Sequence, residues 1–163
     1  KIKFDAQVLN GEGYKKMHSD ELFRAGFGVT YNIFKNLSLR AQHDISDNTI
    51  IDQTITTAAI SYASNQISIG GEANMMKNSN NIQDDEQNII SIYGAFNANE
   101  KYTLFARYDD ASKTNHEETF IIYGIERKMT KGVSVALNMQ SSTNAAEESE
   151  AENILFINLE YKF

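Results

Sequence analysis

Apolar and polar residues alternate along most of this chain with the two-residue period of an extended strand. In the last ten residues, every second position from Leu155 to Phe163 is apolar or aromatic, whereas Glu160 and Lys162 fall on the opposite face. Residues 133–140 and 23–33 show the same pattern. The spacing predicts ten strands, over residues 1–9, 23–33, 37–45, 54–63, 67–76, 88–97, 102–109, 119–127, 133–140 and 154–163.

The predicted connections alternate in length. Long polar segments at 10–22, 46–53, 77–87, 110–118 and 141–153 alternate with short turns at 35–36, 64–66, 98–101 and 128–132. In a meander this places all long connections at one end of the strands, as in outer-membrane barrels. The sequence therefore predicts an all-β fold, an antiparallel up-and-down transmembrane β-barrel. We expect residues 1–163 to form a single barrel domain or a barrel segment that ends in strand 154–163.

Composition narrows the possible chemistry. The 163 residues fit one domain, and the absence of cysteine excludes disulfides, thiolate metal sites and a cysteine nucleophile. A formal net charge of -7 argues against a general nucleic-acid-binding protein. The acidity lies in the predicted long loops, where it either keeps the loop tips solvated or contacts divalent cations or lipopolysaccharide. Its largest share is at Glu147, Glu148, Glu150 and Glu152.

Alternation alone does not say which face meets water, because a soluble barrel points its apolar residues inward. Charged residues on the second faces and aromatic residues near the strand ends favour an apolar surface that faces lipid. The residues predicted to face lipid are Phe27, Val29, Val133, Val135, Leu137, Leu155, Ile157 and Leu159. The residues predicted to line a pore are Lys3, Arg24, Arg40, Glu72, Arg107, Asp109 and Glu126.

The end of the chain carries a further signal. A terminal Phe163, preceded at alternate positions by Tyr161, Leu159 and Ile157, resembles the C-terminal assembly signal of Gram-negative outer-membrane proteins. The resemblance implies that Tyr161 and Phe163 form an address read by the barrel-assembly machinery. It also implies that the protein lies in the bacterial outer membrane.

Two short segments carry a family resemblance. Asn10-Gly11-Glu12-Gly13-Tyr14 follows the first predicted strand, and Arg107-Tyr108-Asp109 ends the seventh. In this order, ahead of a terminal Phe strand, they resemble the C-terminal half of porins related to the phosphate-selective porin family. The resemblance implies a larger barrel of about sixteen strands with a water-filled lumen. The chain also starts at Lys1 without a methionine or signal peptide, so we expect a mature product or a fragment.

The two arginines predicted at mid-height of the barrel suggest a selectivity. Arg40 and Arg107 form either a basic ladder or wall contacts neutralised by nearby acids, Arg40 by Asp44 or Glu72 and Arg107 by Asp109 or Glu126. The favoured function is passive diffusion of small hydrophilic solutes, with a possible anion bias. If ten strands closed by themselves, at a radius of about 10 Å, the alternative is a narrow barrel acting as an adhesin or structural component.

The sequence offers little for catalysis. Of the three histidines, His18 and His116 fall in predicted loops and His43 on the predicted lipid face, so neither an enzyme, a cofactor nor a metal site is expected. Asp109, Asp110, Ser112 and His116 near one rim are the residues that a hydrolase would have to use. The expected partners are outer-membrane lipid and lipopolysaccharide, the barrel-assembly machinery and small hydrophilic solutes. A homo-oligomer or an association with other envelope proteins is a further possibility, and no nucleic acid is expected.

Overall fold

Ten strands make up one antiparallel sheet in the computed structural model, which describes residues 1–10, 23–47, 51–79, 82–114, 116–144 and 151–162. The sheet order follows the sequence, so the predicted ten-stranded up-and-down topology is confirmed. Among these residues, no helix is long and apolar enough to cross a membrane. The strands are β1 (Ile2–Asn10), β2 (Phe23–Phe34), β3 (Leu37–Ser46), β4 (Gln53–Ala63), β5 (Ile67–Lys77), β6 (Glu86–Asn97), β7 (Tyr102–Lys113), β8 (His116–Thr130), β9 (Val133–Asn144) and β10 (Glu152–Tyr161).

The register is nearly continuous across the sheet. It shifts only between Asn32 and Phe34, where β2 meets β3, and between Lys128 and Thr130, where β8 meets β9. Both shifts adjoin a two-residue turn, where a bulge increases the local twist. Within the described residues, β1 pairs only with β2 and β10 only with β9, so the sheet is open along these two strands.

The continuous register separates the side chains into two faces, because partners on neighbouring strands point to the same side. We call one the polar face; a row across it from β2 to β7 contains Thr30, Arg40, Ala59, Glu72, Ser91 and Asp109. We call the other the apolar face; the adjacent row contains Tyr31, Leu39, Ile60, Gly71, Ile92 and Tyr108.

The apolar face has no covering layer. In the described part of the chain, no hydrophobic side chain is buried, and Ile157 and Phe4 are 76% and 69% exposed. On β1 and β2, the rings of Phe4 and Phe27 stack against each other with centroids 6.2 Å apart. A continuous apolar surface of this extent is typical of a protein whose surroundings are themselves apolar.

The polar face is the concave one. Along β7, exposed and partly buried positions alternate, and the partly buried ones are the polar-face residues Phe105, Arg107, Asp109, Ala111 and Lys113. Strands β2 and β6 show the same alternation. Because side chains converge on the inside of a curved sheet, the lower exposure identifies the polar face as the inner one.

Two predicted loops are shorter than expected. Strand β7 continues to Lys113 and pairs with His116 at the start of β8, so the prediction of a loop at 110–118 is wrong. Similarly, β9 continues to Asn144 and β10 begins at Glu152, which shortens the loop predicted at 141–153. The apolar alternation stops before these segments, but backbone pairing does not require apolar side chains. The predicted strict alternation of long and short connections is therefore broken at 114–115.

Gly124 lies where two neighbours approach the strand closely. A Cβ at this position would lie 2.7 Å from the Phe105 ring and 2.7 Å from the Asn138 Cβ. Phe105 and Asn138 are its cross-strand partners on β7 and β9. The missing side chain lets the aromatic ring lie directly over the strand. At Gly71, in contrast, the nearest atom would be the Ser91 carbonyl oxygen at an ordinary 3.6 Å.

This difference predicts unequal effects for two chemically identical substitutions. Gly124→Ala should destabilise the folded state by about 1–3 kcal/mol, because the added methyl forces packed neighbours apart. Gly71→Ala should be neutral or stabilising by up to about 1 kcal/mol, because it only restricts the unfolded chain. Urea titration of both variants in lipid vesicles measures the free energy of unfolding. Equal effects of the two substitutions would contradict this packing at Gly124.

Candidate functional site

The first charged cluster of the polar face is centred on Arg40 of β3. Its Nη1 and Nη2 donate to Oδ2 and Oδ1 of Asp5 on β1 at 2.9 and 2.8 Å, a bidentate pair. Nη1 also donates to Thr30 Oγ1 at 3.0 Å, and Nη2 to Gln42 Oε1 at 2.7 Å. Strand β2 lies between Asp5 and Arg40. The pair therefore spans three strands.

A glycine on β2 makes this span possible. A Cβ at Gly28 would lie 2.6 Å from both Arg40 Nη2 and Asp5 Oδ1. Gly26 has the same role one pair of residues farther along, because its Cβ would collide with Asp44 and come within 3.2 Å of Gln7 Cγ. The two glycines thus clear a path over β2 for contacts between β1 and β3.

Asp44 is the most buried acid of this region, with a side chain only 3% exposed. Gln42 Nε2 donates to its Oδ2 at 2.8 Å, and Gln7 Nε2 donates to its Oδ1 at 3.3 Å. Arg24 Nη2 lies 3.7 Å from the same carboxylate. Because Gln42 also accepts from Arg40, Asp5, Arg40, Gln42 and Asp44 belong to one hydrogen-bonded network, which Arg24 joins through its ion pair with Asp44.

The second charged cluster is centred on Arg107 of β7. Nε donates to both carboxylate oxygens of Asp109 at 2.8 Å, and Nη2 donates to Ser91 Oγ at 3.2 Å. Nη2 also lies 3.5 Å from Glu72 Oε1 on β5. The guanidinium carbon is 5.6 Å from the centre of the Tyr93 ring, within the range of a cation–π contact.

The structure settles which acids accompany the arginines. The expected pairing of Arg40 with Asp44 or Glu72 is wrong, because Asp5 reaches it across Gly28. For Arg107, the expected pairing with Asp109 is confirmed. The alternative with Glu126 is wrong, since Glu126 faces Thr103, four residues along β7, and Glu72 is the second acid instead.

All seven residues predicted to line a pore lie on the polar face. Lys3 faces Thr30 in the row that also contains Arg40, Glu72 and Asp109. Asp5, Gln7, Gln42 and Tyr93, which complete the two clusters, were not among the predicted residues. The eight residues predicted to face lipid all lie on the apolar face. Phe163 and residues 11–14 of the family motif lie outside the described residues.

A depression of about 630 Å³ lies on the apolar face, with an almost entirely apolar accessible lining, although Arg40 and Glu72 also border it. Small residues of β3, β4 and β5 form its floor, namely Ala41, Ala58, Gly71 and Ala73, and larger apolar residues such as Tyr31 and Ile60 form its walls. Its lining gives it no means of binding a hydrophilic solute.

Catalytic and metal chemistry find little support in the geometry. Within the described residues, no group of three His, Asp or Glu side chains is close enough to hold a metal ion. His43 Nδ1 lies 2.9 Å from Thr56 Oγ1 on the apolar face. His18 lies outside the described residues.

Comparisons with known proteins agree with this architecture. Residues 4–147 match the family model described as Gram-negative porin. No curated protein matches the chain significantly. The structure of the NanC porin is similar over 99% of both chains, with a TM-score of 0.61 and 10% identity. OmpT, an outer membrane protein of Vibrio cholerae in a trimer form, is similar with a TM-score of 0.62 and 15% identity, over 97% of this chain and 64% of OmpT. At such low identity, the two structures show a shared fold.

The division into two faces predicts alternating accessibility in a bilayer. The chain has no cysteine, so single cysteines on β10 can carry a spin label without interference. Labels at Leu155, Ile157 and Leu159 should collide mainly with oxygen dissolved in lipid. Labels at Asn158 and Glu160 should collide mainly with a water-soluble nickel complex. A label at Lys35, in a turn, is the control for free access from water, and accessibility without alternation would contradict the assignment of the faces.

Proposed function

Because this chain belongs to the Gram-negative porin family and lies in the bacterial outer membrane, we propose that it conducts small hydrophilic solutes by passive diffusion rather than acting as an enzyme. The observation that carries the proposal is the concave polar face, on which charged and hydrogen-bonding side chains follow one another over all ten strands. A water-filled lumen solvates such a wall, whereas lipid does not.

The two faces then have distinct roles. We propose that Lys3, Arg24, Arg40, Glu72, Arg107, Asp109 and Glu126 line the lumen. Phe27, Val29, Val133, Val135, Leu137, Leu155, Ile157 and Leu159 face lipid. Slipping a strand by one residue would turn its charged positions outward, at about 2–4 kcal/mol for a basic residue at the midplane.

An anion bias is the finer part of the proposal. Arg107 is 40% exposed, whereas its partners Asp109 and Glu72 are 17% and 26% exposed. Arg24 is likewise more exposed than Asp44. At these two sites the cation is nearer to a passing ion than its acid is, although Asp5 is more exposed than Arg40. Acidic loops at the mouth oppose the bias, but salt screens their field beyond about 8 Å.

The bias has a direct electrical test. Arg40→Gln and Arg107→Gln, in the whole protein in planar bilayers under a KCl gradient, should each shift the reversal potential towards cation preference. Each substitution removes one positive charge from the lumen wall. The control is Lys35→Gln, which removes the same charge at a turn outside the strands. Unchanged potentials in both arginine variants would remove these residues from ion selection.

Absence of any KCl conductance would instead favour a closed barrel with an adhesive or structural role. The relation to phosphate-selective porins remains a prediction from the short motifs. Phosphate specificity is not proposed, because the sequence has no cluster of several lysines or arginines. The total number of strands, about sixteen by that resemblance, also remains a prediction.

We further propose that lipid, lipopolysaccharide and the barrel-assembly machinery are partners of the chain. Association with copies of itself is supported by OmpT, which was solved in a trimer form. Other envelope proteins remain possible partners. The role proposed for Tyr161 and Phe163 is assembly, because an aromatic terminal strand is the address carried by this class of proteins.

The role in assembly is tested by removing an aromatic side chain either at the end of the chain or beside a turn. Phe163→Ser should lower the amount of protein inserted in the outer membrane without lowering its synthesis. Phe34→Ser removes an equally aromatic side chain, 70% exposed beside a turn, and should leave insertion nearly unchanged. Membrane fractionation with immunoblotting measures both quantities. Normal insertion of Phe163→Ser would make Phe163 an ordinary interfacial aromatic residue.

A further inference from the structure

The polar face is not polar throughout. Across β7, β8 and β10 it carries four large apolar side chains that are not exposed, which we call the lumen apolar patch: Phe105, Phe120, Ile122 and Phe156. Each is partly buried. A fifth apolar residue of these strands on this face, Ile154, is exposed and is left out of the patch. Hydrogen bonding to water gives no reason for such residues on the wall of a hydrophilic channel, so the patch calls for another explanation.

The patch is continuous in the register. Phe105, Gly124, Asn138 and Phe156 form one row from β7 to β10. The Phe105 ring lies over Gly124, and Asn138, in the same row, is only 4% exposed. Ile122 follows Gly124 on the same face, two residues along β8. Together they offer an apolar surface about three strand spacings, or roughly 14 Å, wide.

The carboxylate of Glu126 borders the lumen apolar patch. Glu126 lies two residues from Gly124 on the same face of β8 and opposite Thr103 and Ala136. Within the described residues, its side chain has neither an ion pair nor a hydrogen bond. The spacing from Glu126 to Ile122 is four residues along a strand, about 13 Å. A charged head group at Glu126 thus leaves room for a short apolar tail on the patch.

The charge of the surrounding wall has the same sign as Glu126. Across β5–β10 the polar face carries six carboxylates, Glu72, Asp109, Glu118, Glu126, Glu152 and Glu160, against four cations, Arg107, Lys113, Lys128 and Lys162. The β1–β3 part instead carries Lys3, Arg24 and Arg40 against Asp5 and Asp44. The polar-face residues around Arg40, such as Thr30, Ser38 and Ala59, are small or polar.

We propose that Glu126 and the lumen apolar patch form a binding subsite for small amphipathic cations, such as primary alkylammonium ions. The ammonium group pairs with the Glu126 carboxylate, and the tail lies on Phe105, Ile122 and Phe156. The proposal rests on the diffusion channel proposed above. It is compatible with an anion bias for inorganic ions, because those ions gain nothing from apolar contact.

Block of the KCl current by alkylammonium ions of increasing length tests the subsite in planar bilayers. Complete burial of one methylene strengthens binding about fourfold, so a tail left half open to the lumen should gain about twofold per methylene. The half-blocking concentration should therefore fall about 30-fold from methylammonium to hexylammonium. Carboxylates of the same length are the control for sign and for partition into the bilayer, and should block far more weakly.

Four variants separate the two parts of the subsite. Glu126→Gln should raise the half-blocking concentration of every alkylammonium ion, whereas Glu152→Gln, which also removes one carboxylate from the polar face, should not. Ile122→Thr should weaken the dependence on tail length. Ile55→Thr, at a polar-face position of β4 away from the patch, should preserve it. Threonine keeps the β-branched shape that suits a strand.

The outcomes distinguish the subsite from the channel. Normal KCl conductance with a block that does not depend on tail length, or that survives both Glu126→Gln and Ile122→Thr, would overturn the subsite alone. Equal block by the carboxylates would overturn it as well. Absence of KCl conductance in the unmodified protein would overturn the diffusion channel, and the subsite with it.

Discussion

Backbone hydrogen bonding between neighbouring strands is the constraint on which this structure depends. In hydrocarbon, every N–H and C=O group needs a protein partner, so a chain that spans a membrane as strands must keep its ladder continuous. The near-unbroken register from β1 to β10 meets this requirement within the described residues. The stability of the fold therefore does not need a hydrophobic core, and none is present there. The apolar side chains lie instead on one uncovered face of the sheet.

A fixed ladder also restricts how chemistry can be placed on the wall. Side chains of adjacent strands meet in rows. A contact between strands that are not neighbours requires a small side chain on the strand between them. Gly28 provides this for Asp5 and Arg40, and the ring of Tyr93 lies over Gly70 in a related way before Arg107 packs against it. Gly28 thus determines which acid pairs with Arg40, through close approach rather than through backbone flexibility. Arg107 instead reaches Glu72 across the small side chain of Ser91.

This explains why the sequence predicted the fold better than the site. Strand number, order and facing follow from alternation, because a period of two is a local property of the chain. The partner of Arg40 depends on two strands separated by a third, and on the residue at position 28. Local spacing favoured Asp44, which lies close in sequence but is held by Gln42 and Gln7. The loop predicted at 110–118 failed for a different reason, since strands β7 and β8 extend beyond the apolar part that alternation detects.

The charged residues of the polar face differ in how much their interactions contribute to the stability of the fold. An ion pair open to solvent contributes about 0–1 kcal/mol, so Asp5 and Arg40, 51% and 35% exposed, add little stability despite good geometry. Asp44 is 3% exposed, and loss of its partners would leave a buried carboxylate unsatisfied, at about 1–3 kcal/mol or more. Asp44 is therefore part of the wall. Arg40, Arg107 and Glu126 are only partly buried, so their fields reach the water beside the polar face.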